Sequence, residues 1–398
     1  MELSVVIPCL DEADTLAVCV GKAQRAMAEH DIDGEVIVAD NGSTDDSVEI
    51  AERLGARVVH VPEPGYGSAL MGGIAQARGR YVLMGDADDS YDFLDLPRFV
   101  DKLREGYDLV QGCRLPSGGG QVLPGAMPWL HRRLGNPLFS MLARRWFGVP
   151  IHDIYCGMRG FTKEWYDQLD QRCEGMEFAT EMIVKSSLNH ARIAEVPITL
   201  HPDGRTSHPP HLHTFRDGWR TLRFFLIYSP RRLFLVPGMV LMLLGLLAYA
   251  LALPRVDIGG LSFDAHTLVF GTVAIICGFQ SVLLAVFTKL FAISEGLIPP
   301  DTRVERLAGA VSVDRGLIIG VVMFACGLVL LGLTVAAWAR KDFGNLVYSD
   351  TMRLAVPGLL LTALGFETVG ASFFVGVLGL KLRREPVEVD QGQRVYAR

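Results

Sequence analysis

The apolar positions of the first ninety residues fall into short runs separated by helical spacing. Residues 3–7 form a β-branched run stopped by Pro8, the pattern of a buried first strand. Across residues 15–29, Leu16, Val20, Ala23 and Met27 recur on one helical face. Residues 35–39 give a second strand ending at Asp40-Asn41-Gly42-Ser43-Thr44-Asp45, where Ser43 or Thr44 is expected to cap a helix through Leu54. Residues 57–61 give a third strand. The turn Pro64-Gly65-Tyr66-Gly67 then leads into a helix of small residues, 68–77, and residues 80–84 form a fourth strand. Strands alternating with helices at this spacing imply βαβ units and a mainly parallel sheet.

After Leu233 the pattern changes. Residues 233–253, 267–287, 316–338 and 354–380 are apolar runs, long enough to cross about 30 Å of hydrocarbon. Just before them, Phe215, Trp219, Leu222 and Leu226 share one helical face and Arg216, Arg220 and Arg223 another. That predicts an amphipathic helix, 214–232, lying on an anionic membrane surface. Basic residues weight the segment before the first span (with Arg231 and Arg232), the one between spans two and three (Lys289, Arg303, Arg306, Arg315) and the one after span four (Lys381, Arg383, Arg384). The loop after span one holds only Arg255, whereas Arg340, Lys341 and Arg353 follow span three. The balance favours both termini inside. The expected division is a catalytic head at 1–213, the surface helix, four spans within 233–380 and a cytoplasmic tail at 381–398.

Composition sharpens this division. The 398 residues are only 21% charged, and a mean hydropathy of +0.28 is too apolar for one soluble domain. A net charge of −6 offers no basic field, which excludes nucleic acid as a partner. The seven cysteines lie far apart without a CxxC pair and fit reduced, mostly buried thiols. Met1 to Pro8 carries no basic region followed by a long apolar stretch, so no signal peptide is expected and the head should stay in the cytoplasm.

The chemistry sits where strands end. The fourth strand runs into Asp86-Ala87-Asp88-Asp89, the first is followed by Asp11 and Glu12, and the second ends at Asp40. Ligands of open α/β sheets bind at such strand ends. Grouped carboxylates without Cys or His are hard oxygen ligands suited to Mg²⁺ or Mn²⁺, and an Asp-x-Asp there can hold an ion bridging a diphosphate.

With these residues placed, the head resembles glycosyltransferase family 2, of the GT-A fold, and within it the polyprenyl-phosphate mannosyl- and glucosyltransferases. Residues 5–12, Val-Val-Ile-Pro-Cys-Leu-Asp-Glu, correspond to the family's opening strand and Pro-x-x-Asn-Glu turn. Val38-Ala39-Asp40-Asn41-Gly42-Ser43 corresponds to its Asp-Asp-Gly-Ser element, Gly65-Tyr66-Gly67-Ser68-Ala69 to its Gly-rich helix, and Asp86-Ala87-Asp88 to its DxD. The likeness covers about residues 1–230 and implies a GT-A head, a Rossmann-like mixed, mainly parallel sheet, followed by an all-α domain of four membrane helices. Asp11 and Asn41 stand where the family has Asn and Asp, and Asp89-Ser90-Tyr91 replaces its Leu-Gln-His. The Gln-x-x-Arg-Trp motif of processive synthases is missing, since Leu142 occupies the Gln position before Arg145-Trp146.

The resemblance implies roles. Pro8, Leu10, Glu12, Asp40 and Asn41 would line the base and ribose pocket; Gly67, Asp86 and Ala87 would complete the nucleotide-sugar site. Asp86 and Asp88 would hold Mg²⁺ or Mn²⁺, with Asp88 favoured for direct ligation. Arg114, Arg132, Arg133, Arg205 and Ser207 would grip the phosphate of a polyprenyl-phosphate acceptor, Arg114 and Arg205 sharing the catalytic role with the two aspartates. Plain membrane-surface charge is the competing reading for Arg132 and Arg133. The implied reaction moves one hexose, from UDP-glucose or GDP-mannose, with inversion, at the cytoplasmic leaflet of the inner membrane.

Alternatives stay open at this stage: a hydroxyl-bearing lipid or glycan acceptor, or a nucleotide-sensing head attached to a lipid-sugar transport module. A hydroxyl acceptor would need a base, for which Glu181 is a weak candidate and a helix-surface position the alternative. His201, His208, His211 and His213 lack zinc-ligand spacing and read as polar loop groups. Mid-span Glu367 is a functional candidate by its position or, equally, a neutral group hydrogen-bonded within the bundle, with Gln280 as one candidate partner. Membrane lipids are partners by construction, and homo-oligomerisation is left open.

Overall fold

The structure, a computed structural model, describes residues 1–206, 214–295, 298 and 313–382. The chain divides into two compact units, Met1–Phe225 and Leu226–Arg398. The first is built on a seven-stranded sheet. Its strands are β1 (Leu3–Cys9), β2 (Gly34–Asp40), β3 (Arg57–His60), β4 (Tyr81–Met84), β5 (Leu109–Cys113), β7 (Arg159–Thr162) and β8 (Ile193–Pro197), in the order β3-β2-β1-β4-β7-β5-β8. Short strands β6 (Gln121–Val122) and β9 (Thr199–Leu200) pair separately. β1 is an interior strand, parallel to both β2 and β4, so Cys9 lies level with Asp40 and Val6 with Met84. β7 alone runs antiparallel to its neighbours β4 and β5.

The helices follow from apolar spacing. α1 (Leu16–Glu29) buries Leu16, Cys19, Val20, Ala23 and Met27 against the core, the face expected. α2 (Ser47–Arg53), α3 (Tyr66–Ala75), α4 (Leu96–Arg104), α5 (Asn136–Phe147), α6 (Lys163–Leu169), α7 (Glu177–Leu188) and α8 (Thr214–Ile227) complete the unit. The expected cap of α2 is corrected. The helix begins later, at Ser47, and Ser43 and Thr44 instead answer Asp40 and Asp11, while Asp45 Oδ1 accepts from Ser47 N at 3.0 Å.

α8 also departs from expectation. Among its described residues Thr221, Phe224 and Phe225 are buried, with the Phe225 ring 5.3 Å from Phe147 and 6.2 Å from both Phe139 and Trp146. Trp219, expected on the membrane face, is 61% exposed, which agrees with that expectation. The run Phe224-Phe225-Leu226-Ile227 can present more than one face, and the aromatic side of α5 selects which is buried. The helix thus belongs to the head as far as Phe225, beyond the expected boundary at 213. Ser207, His208, His211, His213, Arg303, Arg306, Arg383 and Arg384, and the tail beyond residue 382, lie outside the described residues.

The second unit has four helices long and apolar enough to cross a membrane: Arg231–Ala252, Ala265–Ser294, Val313–Ala339 and Tyr348–Leu378. They pair as hairpins through small residues. A Cβ on Gly278 would lie 2.6 Å from Gly238 O, and one on Gly365 2.7 Å from Gly320 O, so glycine is what allows these backbones to approach. Gln280 Nε2 donates to Glu367 Oε1 at 2.7 Å, tying spans two and four as expected.

Candidate active site

Because β1, β2 and β4 end side by side, the carboxylates after them converge. Arg205 lies at the convergence. Its Nη1 donates to Glu12 Oε1 at 3.0 Å, its Nη2 to Asp88 Oδ2 at 3.1 Å, and its Nε to Asp203 Oδ1 at 2.9 Å. Burial opposes the charge, but the bonds to Asp203 and the charges of Glu12 and Asp88 hold the guanidinium above its ordinary pKa. The segment carrying it is fastened down: His201 N donates to Ser90 O and Gly204 N to Asp88 O, at 2.9 and 3.0 Å. Thr206 N and Oγ1 both reach Asp14 Oδ2 at 2.9 Å.

The two DxD carboxylates are held differently. Asp88 Oδ1 accepts from Ser90 N at 3.0 Å and Ser90 Oγ at 2.6 Å, leaving Oδ2 to Arg205. Asp86 Oδ1 accepts from the Tyr66 hydroxyl at 2.8 Å. Burial, then the charge of Asp88, pushes the Asp86 carboxyl up to about 6, with Tyr66, Arg114 and Arg205 pulling the other way. Negative charge held at such a cost suits a cation. Among the described residues no group of three His, Cys, Asp or Glu is placed to hold a metal. Two hard oxygens fit Mg²⁺ or Mn²⁺, which commonly complete their shells with phosphate and water.

At the β2 end, Asp40 accepts from Ser43 N at 3.0 Å, Gly42 N at 3.4 Å and His60 Nδ1 at 3.1 Å. Burial works against its charge, yet these bonds hold its carboxyl below the usual range. Pro8 is half-buried and Leu10 38% exposed at the β1 exit, while Glu12 is buried under Arg205. These residues lie at or just after the ends of β1 and β2.

Other expected site residues make contacts within the protein. Asn41 spends its amide on the glycine turn, donating to Val61 O and Glu63 O at 2.9 and 2.7 Å and accepting from Gly65 N at 2.7 Å. An aspartate has no N–H for the first two bonds, which accounts for the departure from the family pattern. A Cβ on Gly67 would collide with the Cys173 carbonyl, so glycine there is set by close packing on the 173–174 backbone. Ala87 is a core residue whose carbonyl accepts from Cys19 Sγ at 3.3 Å. Arg114 is buried and bound to Asp153 through N, Nε and Nη2 at 3.1, 2.7 and 2.9 Å. That fork is spent inside the protein, and Arg114 acts on the site through its charge near Asp86. Glu181 lies on no surface: it is fully buried, pairs with Lys185 at 2.8 Å and accepts from Arg172 N and Cys173 N.

Arg132 is half-buried and Arg133 exposed, just ahead of α5. Around them Trp129, Leu134 and Met141 are 72%, 55% and 50% exposed. Sequence reasoning did not single out Tyr66, Asp153, Asp203 or the fully buried Arg159, which donates to Ala179 O and Cys156 O at 2.6 and 2.7 Å. Asp203, two residues before Arg205, was the one with a local signal.

Comparison with known proteins bears on this site. The family model described as glycosyl transferase family 2 matches residues 4–170, and that of the glycosyltransferase family 2 C-terminal transmembrane region matches residues 286–379. The low-salt glycan biosynthesis hexosyltransferase Agl6 of Haloferax volcanii is 38% identical over 382 residues, covering 95% of this chain and 89% of that protein. The dolichyl-phosphate hexose transferase of the same organism is 32% identical over 197 residues, 50% of this chain and 82% of the relative. Among solved structures, glucosyl-3-phosphoglycerate synthase from Mycobacterium tuberculosis with Mn²⁺, UDP and glucosyl-3-phosphoglycerate is 24% identical. It covers 57% of this chain and 77% of that one at a TM-score of 0.43. With a relative so similar along nearly its whole length, and family matches over both head and spans, the chain belongs to glycosyltransferase family 2 as a membrane hexosyltransferase.

Proposed function

We propose that the protein transfers one hexose from a nucleotide-diphosphate sugar, UDP-glucose or GDP-mannose, to polyprenyl phosphate at the cytoplasmic leaflet, with inversion at the anomeric carbon. The observation that carries this is Arg205, shared between Glu12 on the nucleotide side and Asp88 of the DxD. A guanidinium surrounded by carboxylates is already oriented for an anion, and a phosphate oxygen can replace one of those partners.

The residues divide the work. Asp40, Glu12, Pro8 and Leu10 would receive base and ribose; Asp40, kept ionised, accepts from N–H or hydroxyl groups. Asp86 and Asp88 would hold a divalent cation, which, when bound, neutralises charge developing on the leaving nucleoside diphosphate. Arg205 would draw the acceptor phosphate toward the donor. An ionised phosphate oxygen attacks without a base, so orientation supplies the catalysis. The burial of Glu181 against Lys185 supports this choice over a hydroxyl acceptor, because the one base candidate is committed elsewhere. Exposed Trp129, Leu134 and Met141 beside Arg132 and Arg133 suit contact with lipid headgroups. The basic residues flanking the first span, Arg231 and Arg232, support a cytoplasmic head.

The test supplies purified protein with radiolabelled UDP-glucose or GDP-mannose and polyprenyl phosphate. Label should enter the organic phase from one donor, vanish with EDTA and be lost in Asp88→Ala, with membrane insertion intact. Product formation undiminished by EDTA, or by Asp88→Ala, would reject the metal-assisted scheme.

A further inference from the structure

We propose that Tyr66 is a positioning residue for Asp86, and that Asn41 sets it in place through the glycine turn. Tyr66 opens α3 directly after Gly65, whose φ of +142° lies where only glycine sits comfortably. Asn41 grips both sides of this turn, through Val61 O and Glu63 O before it and Gly65 N within it. On the other side Ser68 N donates to Glu174 O at 3.1 Å, and Gly67 packs on the 173–174 backbone. The main chain of Tyr66 is therefore anchored in front and behind.

Its hydroxyl then meets Asp86 Oδ1 at 2.8 Å. The other oxygen has a backbone wall, because a Cβ on Gly157 would lie 2.5 Å from Asp86 Oδ2. The carboxylate is fixed on both edges. The donor matters as much as the distance. Asp88 is held by a cation, Arg205, whereas Asp86 is held by a neutral phenol that orients it without cancelling its charge. A neutral donor keeps that charge available to an incoming cation. This inference rests on the divalent-cation reading of the DxD pair and extends it to residues in no motif of the metal site.

The test titrates the full-length protein in lipid nanodiscs with Mn²⁺ alone, read by electron paramagnetic resonance. Losing a hydrogen bond to a charged group predicts about tenfold weaker Mn²⁺ binding in Tyr66→Phe. Asn41→Ala should weaken it in the same direction, and the double variant should be no worse than the weaker single one, as for residues acting in series. Unchanged Mn²⁺ affinity in Tyr66→Phe overturns the proposal, as do losses that multiply in the double variant. Deuterium uptake over residues 61–68, measured without metal, separates the two ideas. Should wild-type protein bind no Mn²⁺, the cation reading fails, while faster uptake in Asn41→Ala upholds the tether and unchanged uptake in that variant overturns it.

Discussion

Asp86 is the residue at which stability and the proposed function oppose each other. Burial and the neighbouring Asp88 lift its carboxyl from 3.8 to about 6. A raised carboxyl contributes most below its ordinary value, and that contribution is lost as pH rises through about 6. Above this point the metal-free fold carries a charge it would be more stable without. Asp86→Asn keeps an oxygen for the Tyr66 hydroxyl and removes the charge. In EDTA the variant should therefore melt higher than wild type at about pH 8 and show little advantage at about pH 4.5, where the native carboxyl is mostly neutral. Sugar transfer should be lost at both. Thermal unfolding at the two pH values checks this, and a variant that melts lower at pH 8 would show that Asp86 supports the fold. Gain in stability with loss of activity is the signature of a group kept for chemistry.

Elements show why the first half of the site was legible and the rest was not. β1, β2 and β4 are short apolar runs ending in carboxylates, so local pattern placed Glu12, Asp40, Asp86 and Asp88 on one edge. β7 inserts antiparallel between β4 and β5; that pairing depends on contacts far apart in sequence, and no local period encodes it. The same distance hid the partner of Arg114, which sits 39 residues away at Asp153. Arg114 looked free because nothing nearby in sequence neutralises it. Glu181 misled in the opposite way. A carboxylate one helical turn from Glu177 and Lys185 reads as surface, yet Glu181 holds the loop before α7 through Arg172 N and Cys173 N and pairs with Lys185. That loop supports α3 through Glu174. Breaking a buried pair costs about 3 kcal/mol or more, so Glu181→Gln should lower the melting temperature while kcat and donor KM, measured well below it, stay near wild type. A collapse of kcat with unchanged melting would return Glu181 to the chemistry.

At the scale of the whole molecule, catalytic head and spans share one chain, and this fixes where substrate concentration is counted. The second unit carries four apolar helices, and within it Gln280 Nε2 donates to Glu367 Oε1. These helices hold the enzyme in the membrane. An acceptor with a polyprenyl tail is confined to that same membrane, so the encounter happens in two dimensions and follows the mole fraction of acceptor in the lipid. A soluble glycan acceptor would instead follow bulk concentration. Proteoliposomes diluted about tenfold into buffer, with saturating nucleotide sugar, should keep their turnover per enzyme, because anchored chains stay with their vesicle. Adding carrier lipid to the same vesicles at fixed bulk acceptor should lower turnover in proportion. Turnover that follows bulk dilution and ignores carrier lipid would place the acceptor in water and leave the exposed Trp129 and Met141 beside Arg132 and Arg133 without a lipid role.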